Sequence, residues 1–224
     1  MLDISPKDWL DERLIKYDNW IKDGKIPYSS QVIPINESIE SKQWILPTAQ
    51  AIEILRNSRV FILTDCDCKN LFKRCNNPVN VCFLVNDAAD KYIEKGEGRQ
   101  VTIDEAKSIL EKANEYGLIH LTIYNPDQYI YALCSCCKCC CHDLQFLKQF
   151  QRTDFIAHSD YISVTDFEKC NNCGVCVDRC VFDARIIQNG NLIFDKDNCY
   201  GCGLCVTKCS ENAISMELFD KINK

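Results

Sequence analysis

The chain contains few histidines, no long apolar run and no excess of basic residues. A membrane-spanning helix needs about 20 consecutive apolar residues, whereas stretches such as RVFILT and VCFLV are far shorter. The net charge of −6 and the isoelectric point of about 5.2 do not suggest a nucleic-acid partner. The N-terminal segment carries acidic residues and a proline instead of an apolar stretch, so no secretory signal is predicted. We therefore expect a cytoplasmic protein without a membrane span.

Sequence fingerprints of nucleotide binding and of serine hydrolases are also missing. The chain has no Rossmann glycine motif, no P-loop and no Ser-His-Asp pattern, so it gives no sign of a flavin or nucleotide site. What it contains in abundance is cysteine, with 18 residues against only 3 histidines. Disulfides belong mainly to secreted proteins. In a cytoplasmic chain we expect these thiols to bind metal.

The C-terminal part contains two cysteine runs with the same C-x2-C-x2-C-x3-C spacing. The second run begins 29 residues after the first (199 − 170). Two-residue gaps let a tight loop point three sulfurs at one cluster, and the glycines within the runs allow the backbone to approach it closely. The first run consists of Cys170, Cys173, Cys176 and Cys180, and the second of Cys199, Cys202, Cys205 and Cys209.

Residues 160–219 resemble the bacterial-type two-cluster ferredoxins through these runs and through the segments DARII and ENAIS that follow them. The proline that usually follows each fourth cysteine is replaced by Val181 and Ser210, which changes a turn and not a ligand. Zinc knuckles are the alternative, but zinc sites often include histidine, and neither run contains one. The resemblance implies two [4Fe-4S] clusters. Cluster I would be held by Cys170, Cys173, Cys176 and Cys209, and cluster II by Cys199, Cys202, Cys205 and Cys180.

Ten further cysteines lie upstream, in the segments CDC, CNNPVNVC and CSCCKCCC. With DEAKSILEKANEYGLIH, these segments resemble iron–sulfur proteins of anaerobic bacteria and archaea described as 4Fe-4S dicluster-domain proteins, over about residues 45–220. His142 stands where that pattern has a glycine. It could ligate metal, since imidazole is a common ligand, but with so many thiolates nearby we expect it to donate to a ligand or face solvent. The resemblance supports an iron–sulfur role for the upstream cysteines. Because neighbours such as Cys136 and Cys137 point in different directions, we expect one metal site or two adjacent ones, hence one or two additional clusters, with not all ten thiols as ligands. The candidates are Cys66, Cys68, Cys75, Cys82, Cys134, Cys136, Cys137, Cys139, Cys140 and Cys141.

Local signals predict the elements around the upstream cysteines. Ser5 and Pro6 begin a helix that Gly24 can end, and a second helix is expected over 48–57, after an irregular segment, 25–47. Thr102 and Glu105 form a capping box. A hairpin is expected around 125–127. If the strands at 59–63 and 129–133 are parallel in one sheet, both cysteine groups emerge at the same edge.

The patterns together predict an α+β protein. N-terminal helices (1–58) would precede a small α/β cysteine-rich module (59–150), a linker (151–165) and a two-cluster ferredoxin domain (166–219). Three classes of function remain open: an electron-transfer protein or subunit that serves a redox protein partner, an iron–sulfur reductase that acts at an unusual upstream cluster, and a redox or metal sensor. We favour the first, because a sensor does not need two ferredoxin clusters and no general acid or substrate pocket can be named.

Overall fold

The computed structural model describes residues 4–34 and 47–219, and it combines helices with sheets as an α+β fold. This confirms the predicted fold class. The helices are α1 (Pro6–Lys22), α2 (Pro47–Asn57), α3 (Asp67–Phe72), α4 (Asn86–Glu94), α5 (Ile103–Glu115), α6 (His142–Phe150) and α7 (Val175–Arg179), with a 3-10 turn at Val206–Lys208. The strands are β1 (Ser30–Ile33), β2 (Phe61–Thr64), β3 (Cys82–Val85), β4 (Arg99–Gln100), β5 (Ile119–Asn125), β6 (Tyr129–Cys136), β7 (Ile156–Ala157), β8 (Tyr161–Thr165), β9 (Arg185–Gln188), β10 (Asn191–Phe194) and β11 (Ile214–Leu218).

The predicted helix ends are confirmed where they depend on local contacts. The Ser5 hydroxyl accepts a hydrogen bond from the backbone N–H of Asp8 at the start of α1. At α5, Thr102 accepts from the backbone N–H of Glu105 at 3.2 Å. The Glu105 carboxylate turns outward to the guanidinium of Arg99, so only half of the capping box forms.

Within the described residues, seven strands form one sheet in the order β4-β2-β3-β6-β5-β1-β7. Strand β3 is antiparallel to both β2 and β6, so β2 and β6 run parallel with β3 between them. The expectation that both cysteine groups emerge at one edge is therefore confirmed. The hairpin of β5 and β6 is also confirmed.

Strand β1 corrects the irregular structure expected for residues 25–47. It pairs with β5 and β7, and such long-range pairing leaves no local signal in the sequence. Residues 35–46 of that segment lie outside the described part of the chain. In the described residues, the helices are too short or too polar to span a bilayer.

The large sheet buries both faces, and the alternation of side chains decides which residue faces which layer. Ile62, Leu84 and Ala132 lie on the face covered by α1 and α6. The neighbouring residues of the same strands, Leu63, Phe83 and Leu133, lie on the opposite face with α2 and α5. The same parity places Cys134 and Cys136 on the α1 and α6 side.

The C-terminal part contains two small antiparallel sheets, one of β8 with β11 and one of β9 with β10. The first brings the strand after the second cysteine run beside the strand before the first run. Residues 151–165, expected as a linker, include β7 and β8, and the Phe155 carbonyl accepts from the backbone N–H groups of Ser29 and Ser30. The apolar cluster of the α1 and α6 face continues through Val181 and Tyr200, so the two parts are packed together.

Candidate metal centres

Four thiols of the C-terminal part line one small cavity. Three come from the first run, beside α7, and the fourth comes from the end of the 3-10 turn in the second run. Leu192 and Ile214 complete its apolar wall. Cys173 is exposed, whereas Cys176 is buried, so the cavity lies at the surface. Its thiols are those of Cys170, Cys173, Cys176 and Cys209.

A second small cavity is built from the other half of the repeat. The backbone around this cavity is closely packed. Gly201 has a φ of +71°, and a Cβ at this position would lie 1.9 Å from the carbonyl oxygen of Tyr161. The Ser163 hydroxyl lies 3.4 Å from the sulfur of Cys199. The thiols lining it are those of Cys180, Cys199, Cys202 and Cys205.

Each cavity thus combines three thiols of one run with the fourth of the other. These are the two sets that the ferredoxin resemblance predicts, and their role as ligands stays a prediction. Burial raises the pKa of Cys202 well above its ordinary value and that of Cys205 to about 11. A buried thiol of this kind stays protonated until a metal replaces the proton. Four sulfur donors around one cavity are the donor set that a [4Fe-4S] cluster takes.

A buried arginine lies between the two cavities. Arg185 is 2% exposed, and its guanidinium donates to the hydroxyls of Thr165 and Ser163 at 2.8 Å each. It lines the second cavity, and its charge acts on the thiols of Cys176 and Cys205, one from each set. The 29-residue repeat places Ile214 at the equivalent position. Sequence reasoning missed Arg185, although this mismatch within the repeat was a readable signal.

Upstream, four thiols converge in the same way. The sulfurs of Cys75, Cys137, Cys139 and Cys140 all lie within 4.8 Å of one another. The Cys75 sulfur is 3.8 Å from those of Cys137 and Cys140, and the sulfurs of Cys137 and Cys139 are 3.4 Å apart. We call these four residues the four-thiol site.

Side chains of α6 and of the loop after α3 hold the backbone of the four-thiol site. The Gln145 amide donates to the Cys140 carbonyl at 3.0 Å, and Arg74 donates to the Cys139 carbonyl at 3.2 Å. Burial raises the pKa of Cys140 to about 11, so the thiol is expected to lose its proton only on metal binding. The donor set again suits an iron–sulfur cluster.

The remaining six upstream cysteines lie beside the four-thiol site and do not belong to it. Cys66 and Cys141 are the N-caps of α3 and α6, and Cys82 begins β3. His142 is buried, which corrects the expectation that it faces solvent. Its Nδ1 lies 3.2 Å from the sulfur of Cys68, which agrees with a role beside a ligand. We call Cys66, Cys68, Cys82, Cys134, Cys136 and Cys141 the six-thiol site.

Comparison with known proteins identifies one segment of the chain. Residues 192–215 match the family model for a 4Fe-4S binding domain, and the match includes all four cysteines of the second run. It confirms the 4Fe-4S chemistry predicted for this part of the chain. None of the curated proteins matches the chain.

Proposed function

We propose that this protein transfers single electrons through several iron–sulfur clusters and exchanges them with a redox protein partner. The observation that carries the proposal is a 4Fe-4S binding segment within a pair of four-thiol cavities, together with a third set of four converging thiols upstream. The two C-terminal cavities would each take one [4Fe-4S] cluster, and the four-thiol site would take a third. When bound, a [4Fe-4S] cluster supplies a one-electron redox centre.

The surface around the first cavity suits contact with a protein partner. Cys173 is exposed there, and Val175 and Ile187 are 42% and 43% exposed. Ile187 lies near Gly174, beside the same loop. Exposed apolar side chains next to a redox centre allow a partner to dock and to exclude water at the point of transfer. We infer that electrons enter or leave the protein here.

The second cavity faces the upstream module. Arg179, which lines this cavity, donates to the carbonyls of Asn114 and Glu115 at the C-terminal end of α5 at 2.6 and 3.3 Å. A cation at a helix C-terminus is favourable, because the last carbonyls lack partners within the helix. Nearby, Tyr200 is stacked between His158 and Phe182 and shields the cavity from solvent. The proposed path therefore runs from the surface through the two C-terminal cavities to the upstream site.

The test is iron and sulfide analysis of anaerobically purified protein, with electron paramagnetic resonance during stepwise chemical reduction. Three cubanes correspond to about twelve irons. We expect at least that content, and we expect upstream and C-terminal signals that both respond to reduction. Cys139→Ser should alter the upstream signals and leave the C-terminal ones unchanged. Upstream signals that never respond to potential would refute the relay, and turnover of a small oxidant without a partner would favour the reductase instead.

A further inference from the structure

The six-thiol site lies at the edge of the large sheet where β2 and β6 end and β3 begins. Cys82 at the start of β3 is paired with Cys134 of β6, and Thr64 at the end of β2 lies opposite Cys82 on its other side. Paired residues of antiparallel strands share a face of the sheet. Cys136, two residues further along β6, points to that face as well. Three of the six thiols are thus aligned by strand register alone.

The other three thiols approach the same face from two helices. Cys66 and Cys68 belong to the start of α3, which follows β2, and Cys141 begins α6. Neighbouring thiols are close enough to influence one another's charge: Cys66 with Cys68 and Cys82, Cys82 with Cys134, and Cys136 with Cys141. Four of the six residues are at most 6% exposed. A metal site requires buried thiols that separate elements bring together, whereas the packing of an apolar core does not require them.

The adjacent residues Cys136 and Cys137 belong to different sites. Cys136 packs in the cluster of the α1 and α6 face, whereas Cys137 packs with Ala113 and Leu118 on the side of α5. Side chains of consecutive residues in extended backbone point in opposite directions. One cluster bound by all ten thiols would need both sulfurs on the same side. The fold instead divides the thiols between a four-thiol site and a six-thiol site, and Cys68 of the latter also packs against the apolar cluster that contains Cys137 and Cys140.

A buried lysine lies among these thiols. Lys69 is 4% exposed, and its ammonium donates to the carbonyl of Ser135, between Cys134 and Cys136, at 2.8 Å. It interacts electrostatically with sulfurs of Cys66, Cys82 and Cys136 in the six-thiol site and of Cys137 in the four-thiol site. A buried ammonium is costly unless it is hydrogen-bonded and faces negative charge. Thiolates bound to a metal cluster supply such charge on both sides.

Rings of α1 cover the site from solvent. Trp9 and Tyr17 are both buried and lie against His142. Their ring centroids are 5.6 and 5.8 Å, respectively, from the centroid of the His142 ring. The His142 ring in turn contacts the sulfur of Cys68. An apolar cover of this kind keeps water away from a cluster and holds the neighbouring imidazole in one orientation.

We propose that the six-thiol site holds an iron–sulfur cluster of its own, distinct from the four-thiol site, and that Lys69 is the buried counter-charge between the two. The inference rests on the proposed function only in assigning iron–sulfur chemistry to the upstream module. A cubane would use four of the six thiols, and a larger polynuclear cluster would use more. The iron count distinguishes these two forms of the same chemistry.

The first test is reconstitution of the full chain with ferrous iron and sulfide under anaerobic conditions, followed by metal analysis and Mössbauer spectroscopy. The variant Cys82→Ser with Cys134→Ser should lose about four irons or more and keep the signals of the other centres. The matched control, Cys137→Ser with Cys139→Ser, should lose a different set of about four irons. Combining the two pairs should remove both sets. The C-terminal signals are an internal reference. Their absence from the reconstituted protein would count against the proposed function, whereas the six-thiol site is tested by the upstream iron alone.

The inference fails if the Cys82 and Cys134 variant keeps its full iron content, or if the wild-type site contains zinc in place of iron. A second variant covers the case in which the double cysteine variant does not fold. Lys69→Met should keep all the iron but lower the reduction potentials of both upstream centres, because a nearby cation favours the reduced state. Lys73→Met, at an exposed lysine just after the same helix, is the control and should change neither potential. Unchanged upstream potentials in Lys69→Met would overturn the proposed role of Lys69.

Discussion

Replacement of Arg185 by isoleucine should lower the reduction potentials of the C-terminal clusters. The guanidinium is buried between the two cavities and is held by Ser163 and Thr165, so its charge is fixed and poorly screened. Isoleucine is the natural replacement, because Ile214 occupies the equivalent place in the repeat. A cation stabilises the reduced cluster, which carries one more negative charge, and its removal therefore makes reduction harder.

The size of the shift follows from Coulomb's law. Two unit charges about 4 Å apart interact by about 4 kcal/mol at an effective dielectric constant of about 20, and by about half of that at twice the distance. For a one-electron couple, about 1.4 kcal/mol corresponds to about 59 mV. An interaction of about 2 kcal/mol thus predicts a fall of roughly 90 mV. The freed hydroxyls of Ser163 and Thr165 should also cost about 1–3 kcal/mol of stability.

The assay is a potentiometric titration followed by electron paramagnetic resonance, with iron content measured in parallel. Arg185→Lys keeps the charge and should shift the potentials much less. Lys208→Met removes an exposed cation next to Cys209, and solvent screening should limit its effect to about 20 mV. If Arg185→Ile keeps both clusters and moves neither potential by more than the Lys208 control, the reasoning on the buried charge is refuted.

Three further predictions concern the C-terminal cavities. Cys180→Ala should remove the cluster bound by Cys199, Cys202 and Cys205, and Cys209→Ala should remove the cluster bound by the first run. Spectra of each variant show which cluster is lost. If a variant instead loses the cluster of the run that carries the mutation, the crossed ligand sets are contradicted. Gly201→Ala should lose the cluster of the second cavity, because the added Cβ would lie 1.9 Å from the carbonyl oxygen of Tyr161. Gly190→Ala is the control: Gly190 has a similar positive φ but open space around it, so this variant should lose only about 1 kcal/mol of stability and keep all its iron. Arg179→Met should lower the midpoint of thermal unfolding by a few degrees, because two hydrogen bonds to α5 worth about 1 kcal/mol each are lost. It should also slow electron transfer between the C-terminal and upstream centres. Lys208→Met is the exposed-surface control from the same part of the chain, and equal effects of the two variants would argue against the contact with α5.

The sequence was most informative where the physics is local. The spacing of the two C-terminal runs predicts which thiols can share a loop, and the family match to the second run agrees with the chemistry read from that spacing. The N-cap at Ser5 and the hairpin before Cys134 also depend on neighbours within a few residues. By contrast, β1 and β3 were not predicted as strands, because four-residue strands in a sheet depend on partners far along the chain.

By itself, the sequence determined the number of thiols, their spacing and the 29-residue repeat, and these properties already favour iron–sulfur chemistry over zinc or disulfides. Only the tertiary structure decided how the ten upstream thiols are divided. The strand register aligns Cys82 with Cys134, and the end of β6 directs Cys136 and Cys137 to opposite sides. The tertiary structure also buries Lys69 and Arg185, which look like ordinary surface residues in the sequence. The reason is physical: the spacing of ligands along a chain is a local property, whereas the charge and burial around them arise when distant segments pack together.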